Sequence, residues 1–125
     1  MPTLLACLST GKGTWTEVNQ LLNAQQWTKV FLITNAFGKQ NYTVNGEQIE
    51  LIVLPEGSDV GVQMLVQQLK KELQGKISDF EIALNLVSGS GKEHMALLEA
   101  VMELGLNFRL VTVKNNQLQV LGMER

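Results

Sequence analysis

Cysteine is almost missing from this chain. Cys7 stands alone, so no internal disulfide can form, and a reducing compartment is the natural setting. His94 is the one histidine. One thiol and one imidazole, with no paired acidic cluster, leave a structural zinc site without a ligand set. Positive charge is sparse as well. Ten Lys and Arg stand against twelve Asp and Glu, for a net charge of −2, and Lys70-Lys71 is the longest basic run. A protein that coats long nucleic acid carries a broad basic face, so long nucleic acid is excluded as a partner; a small anion held at one local site is not. No apolar run is long enough to cross a bilayer. The opening MPTLLACLS is apolar but short, and it lacks the basic start of a signal peptide. The expectation is a cytoplasmic protein with no membrane contact and no cofactor.

What is present is patterned. With 125 residues, 45% of them hydrophobic and 18% charged, the chain predicts one globular domain over residues 1–125. Continuous apolar runs at 3–9, 29–34, 49–55 and 80–87 read as strands buried on both faces. Between them lie helical stripes. Val18, Leu21 and Leu22 follow Thr14-Trp15-Thr16-Glu17, which has the S/T-x-x-E form of a capping box. Val62, Leu65, Val66, Leu69 and Leu73 follow Ser58 or Asp59 as a cap and stop at Gly75. Leu97, Leu98, Val101 and Leu104 follow a second box, Ser90-Gly91-Lys92-Glu93, and stop at Gly105. Strands at 108–113 and 118–123 flank Asn115-Asn116, a hairpin dipeptide. Segment 35–48 has no convincing stripe and reads as a short helix or an irregular loop.

Strands alternating with helices imply parallel pairing through right-handed crossovers. The predicted fold is α/β: a Rossmann-like, doubly wound, mainly parallel sheet of order 3-2-1-4-5 with an antiparallel C-terminal edge strand. In that order strands 1 and 4 are neighbours at the topological switch point, where open α/β sheets bind ligands.

The two loops leaving those strands share a grammar. LSTGKG (8–13) supplies Ser9, Thr10, Gly11, Lys12 and Gly13. SGSGK (88–92) supplies Ser88, Gly89, Ser90, Gly91 and Lys92. Glycines admit close approach of a ligand, helix N-termini favour anions, and lysine and hydroxyl groups hydrogen-bond phosphate or ribose. A small phosphorylated ligand is the natural occupant, with Asn35 at the end of strand 2 as a rim residue. Standard fingerprints fail on spacing. A P-loop needs glycine where Leu86 stands and a hydroxyl where Glu93 stands; a dinucleotide loop needs glycine at Thr16. Cys7, Trp15 and Trp27 read as packing residues. His94 reads first as a solvated or capping side chain and second as a catalyst.

LLACLSTGKGTWTEV resembles the first strand and loop of CARF domains, the CRISPR-associated Rossmann-like sensors, whose loop runs about L-G-T-S-P-G and whose helix often opens with T-E, here Thr16-Glu17. LNLVSGSGKEHM resembles their second motif, about N-x-S/T-G-G-S/T-K/R-x-M. Ser88, Gly89 and Lys92 match in order. Ser90 replaces a glycine, Gly91 replaces a hydroxyl residue, and Asn85 and Met95 are each displaced by one place. The resemblance implies a homodimer that binds a cyclic oligoadenylate, with cyclic tetra-adenylate expected, across its axis as part of type III CRISPR antiviral defence. For a chain with no effector domain it implies a ring nuclease that cuts the messenger without metal. Lys92 and His94 are the catalytic candidates; the first-loop serine used by some ring nucleases corresponds to Gly11 here. The alternatives are a messenger sponge or sensor without turnover, and an unrelated Rossmann-like nucleotide-binding protein.

Overall fold

A computed structural model of the protein describes residues 2–8 and 13–122. The elements in chain order are β1 (Thr3–Cys7), α1 (Trp15–Ala24), β2 (Lys29–Thr34), α2 (Ala36–Asn41), β3 (Ile49–Val53), α3 (Val62–Leu73), β4 (Glu81–Asn85), α4 (Gly91–Glu103), β5 (Asn107–Lys114) and β6 (Gln117–Val120). They form one six-stranded sheet of order β3-β2-β1-β4-β5-β6. All neighbours are parallel except the β5–β6 hairpin. This is the Rossmann-like, doubly wound arrangement expected from the alternation of periods. No helix among the described residues is long and apolar enough to cross a membrane.

The apolar runs at the sheet centre are buried on both faces because both faces carry helices. Leu5, Cys7, Phe31, Ile33, Ile82 and Leu84 pack under α3 and α4 with Leu65, Leu69, Leu97 and Val101. Leu4, Ala6, Val30, Leu32 and Ala83 point the other way, toward Val18 and Leu21 of α1. Trp15 and Trp27 belong to this second cluster and are 8% and 6% exposed, so both are packing residues. Trp27 donates its indole N–H to the Leu21 carbonyl at 2.9 Å.

Local signals hold where their partners are local. Ser90 and Glu93 form a complete capping box at α4. Helices α3 and α4 stop just before Gly75 and Gly105. Asn115 and Asn116 take φ values of 54° and 61°, the left-handed pair that a two-residue hairpin turn requires. Segment 35–48 is both things expected of it: the six-residue α2, capped by the Asn35 side chain, followed by a loop.

Two caps differ from expectation. Thr14 makes no side-chain cap on α1; its hydroxyl donates to Ser88 Oγ at 2.6 Å, and the Glu17 carboxylate accepts from Thr112 Oγ1 at 3.5 Å. Tertiary partners have taken both halves of the box. The N-cap of α3 is Gly61, not Ser58 or Asp59, because the Val60 amide closes a turn onto the Gly57 carbonyl at 3.1 Å and delays the helix. The strands at 3–9, 49–55, 80–87 and 118–123 end sooner than their apolar runs, since apolar residues continue into buried loop positions such as Leu8 and Leu54.

Candidate functional site

The carboxyl ends of β1 and β4 lie side by side, with Ala6 opposite Asn85. The β4–α4 turn therefore meets the N-cap of α1. The Thr14–Ser88 hydrogen bond is that meeting, made between residues 74 apart in sequence. Beside it opens a cleft of about 340 Å³, within the range of small-ligand sites. One wall is the β4–α4 turn, with Gly89, Ser90, Lys92 and Glu93. The other is Asn35 at the end of β2 together with Pro55, Glu56 and Gly57 after β3. Leu65 of α3 is buried and closes the floor.

Gly89 shapes the first wall. Its φ is +98°, and a Cβ there would lie 3.0 Å from the Cys7 Cβ and 3.3 Å from His94 Nε2. Only glycine permits both that backbone and that closeness. The turn then delivers Ser90 as the cap of α4. Its hydroxyl accepts from the Glu93 amide at 3.2 Å, and Glu93 Oε1 accepts from the Ser90 amide at 2.8 Å. The next two amides, of Gly91 and Lys92, have no hydrogen-bond partner among the described residues. They are donors at the positive end of a thirteen-residue helix. Gly91 itself faces open space. The Lys92 side chain reaches across the cleft mouth, its Nζ 3.4 Å from the Gly57 carbonyl oxygen.

The other expected residues are placed differently. Asn35 is 3% exposed, and both ends of its amide are in use: Oδ1 accepts from the Gly38 amide at 3.1 Å and Nδ2 donates to Glu56 Oε2 at 3.0 Å. It lines the cleft as a brace between α2 and the second wall. Ser88 is 1% exposed and faces Thr14, not the cleft. His94 does not line the cleft either. Its Nε2 lies 2.7 Å from the Ser88 carbonyl oxygen. A carbonyl only accepts, so that nitrogen carries the proton, and the ring clamps the turn from behind. Gly13 stands at the start of α1, away from the cleft lining. Ser9, Thr10, Gly11 and Lys12 lie outside the described residues.

The electrostatics are mixed. Among the described residues the lining carries two carboxylates, Glu56 and Glu93, and one cation, Lys92. The acidic groups face different tasks: Glu93 turns back into its capping box, and Glu56 holds Asn35. Behind the turn, burial and then the charge of Glu93 push the Cys7 thiol far above its ordinary range, so Cys7 is neutral packing and not a nucleophile. Among the described residues no three His, Cys, Asp or Glu side chains gather as a metal site.

Sequence reasoning missed the wall formed by Pro55, Glu56 and Gly57. The signal was available, because all parallel strands end on the same edge and Leu54-Pro55-Glu56-Gly57 follows β3. No family model matches the chain, and no curated protein matches it in sequence.

Proposed function

We propose that this protein binds a cyclic oligoadenylate, with cyclic tetra-adenylate the expected ring, and cleaves it without metal. The observation that carries the reading is the cleft at the switch point, beside the contact of Thr14 with Ser88, where Gly89, Ser90 and Lys92 at the N-terminus of α4 form one wall and the Lys92 amide and ammonium are both on offer. Those donors suit a phosphate. Glu56 on the opposite wall repels one, so the phosphates of the ring lie along the α4 side and its sugars and bases toward β3.

A symmetric ring larger than this cleft calls for two copies of it. The outer side of α4 supplies a surface for that pairing: Met95 and Met102 share one helical face and are 63% and 57% exposed, with Val87 of the adjoining turn at 41%. Joining two such faces about a twofold axis brings two β4–α4 turns together.

Cleavage needs a ribose 2′-hydroxyl in line with its neighbouring phosphate. The 2′-oxygen forms a bond to phosphorus, the bond to the 5′-oxygen breaks, and the products are a 2′,3′-cyclic phosphate and a 5′-hydroxyl. Holding the in-line geometry supplies much of the acceleration. Lys92 and the α4 amides stabilise charge on the non-bridging oxygens. His94 serves as proton donor to the leaving oxygen only if its ring leaves the Ser88 carbonyl.

That tether favours a second reading, a sponge that holds the messenger uncut. Incubation of the protein with labelled cyclic tetra-adenylate in EDTA separates the two. Linear fragments ending in 2′,3′-cyclic phosphate establish the nuclease. Tight binding with the ring recovered intact establishes the sponge, and absence of binding overturns both.

A further inference from the structure

The two edges of the sheet are unlike. The β6 edge is four residues long and carries two glutamines. The β3 edge, Ile49-Glu50-Leu51-Ile52-Val53, pairs with β2 in unbroken register from Val30↔Ile49 to Thr34↔Val53. It has no proline, no lysine and no bulge, the devices that usually blunt an edge.

The hydrogen-bond parity of β3 follows from two contacts at its ends. Val30 N donates to Gln48 O at 2.9 Å, and Leu54 N donates to Thr34 O at 2.8 Å. In a parallel ladder the bonding residues alternate, so the even-numbered residues of β3 face β2 and the odd-numbered ones face outward. The amides of Leu51 and Val53 and the carbonyls of Ile49, Leu51 and Val53 have no partner among the described residues; the Ile49 amide is taken by the Gly46 carbonyl at 3.3 Å. The same odd residues put their side chains on the α1 side of the sheet. The second crossover contains only the six-residue α2, so no full helix covers them, and Ile49, Leu51 and Val53 are each half-buried. Beside Ile49 lies an open hollow of about 500 Å³ with no charged residue in its lining among the described residues.

We infer that β3 pairs antiparallel with β3 of a second copy of this chain, about a twofold axis through Leu51. The strand is complementary to itself in this register. Leu51 meets Leu51 and Ile49 meets Val53, so the Leu51 amide and carbonyl, the Val53 amide and the Ile49 carbonyl fall in hydrogen-bonded pairs, while the Ile49 amide stays on the Gly46 carbonyl. The apolar row that α2 leaves open is doubled, each of its side chains gaining a cross-strand apolar neighbour. The one charge on the strand offers no repulsion across the axis, because Glu50 is already matched by Lys29 at 3.4 Å and Lys76 at 3.1 Å. This pairing is independent of the cleft and of the outer face of α4, and it joins dimers made through α4 into a larger assembly.

The test is sedimentation at micromolar concentration with two variants. Leu51→Lys sets two ammonium groups on the axis and is expected to halve the assembly mass with an unchanged circular dichroism spectrum. Met95→Asp removes the α4 contact and is expected to leave the β3 pair intact. Equal masses for the wild type and a folded Leu51→Lys overturn the inference, whatever the outcome with the messenger. Hydrogen exchange in the unmodified protein covers the case of a misfolded variant. The amides of Leu51 and Val53 are expected to slow about tenfold or more between low and high concentration while that of Ile52 does not change. Concentration-independent exchange at Leu51 and Val53 overturns the inference as well.

Discussion

Gly89 and Gly91 stand two places apart in one turn and answer to different constraints. Gly89 has a positive φ and lies against the Cys7 Cβ, whereas a side chain at Gly91 would meet open space. Gly89→Ala is expected to cost roughly 1–3 kcal/mol, and Gly91→Ala to leave stability within about 0.5 kcal/mol. Urea midpoints of the two variants check this; equal losses would show that the turn is not held by its contact with β1. Lys92 poses the complementary question, since among the described residues its ammonium makes one long contact, with the Gly57 carbonyl. Lys92→Ala is expected to keep the fold and weaken binding of cyclic tetra-adenylate about tenfold to a hundredfold, as loss of a charge-assisted contact of about 1.5–3 kcal/mol implies. Equilibrium titration measures it, and wild-type affinity in that variant moves the phosphate site elsewhere.

At the level of elements, α1 and α4 begin with the same sequence form and are capped differently. The Ser90 box closes on itself. The Thr14 box opens, because the strand order brings Ser88 and Thr112 within reach of its two side chains. Ser90→Ala removes a cap worth about 1 kcal/mol and takes a hydroxyl out of the cleft lining, while the Glu93 carboxylate stays on the backbone amide of residue 90. The expected result is a lower urea midpoint together with weaker anion binding. A drop in stability alone would assign Ser90 to the helix and not to the site. The short α2 has the opposite economy. Asn35 caps it and also braces Glu56, so one buried amide joins the second crossover to the cleft wall.

Over the whole molecule, charge is spread thinly, and one cluster on β2, β3 and the segment after α3 carries a pH signature. Burial alone would raise the Glu50 carboxyl, but hydrogen bonds and charge from Lys76, then from Lys29, outweigh it and hold the group below its ordinary value. A folded-state value below the unfolded one adds stability that is present above the unfolded value and is lost as pH falls through the folded one. The group is one-third exposed, so the contribution is under about 1 kcal/mol. Glu50→Gln is expected to lower the urea midpoint slightly at pH 7 and to match the wild type below pH 3; a constant difference at both values would remove the ion pairs as its cause. Burial of both faces of β1, β2 and β4, the alternation of strand and helix, the order of the sheet, the Ser90 cap and the Asn115-Asn116 turn were all determined by the sequence itself. Each depends on periodicity or on partners within a few residues. That the β4–α4 turn meets the N-cap of α1 followed from the same topology. Only the tertiary structure decided which side chains enter the cleft. Thr14 and Ser88 satisfy each other across 74 residues, His94 turns behind the loop to the Ser88 carbonyl, Asn35 spends its amide on Gly38 and Glu56, and the segment after β3 becomes the second wall. Hydroxyls, amides and imidazoles take whichever partner the packed chain offers, and that choice is made between residues far apart in sequence, where no local pattern records it.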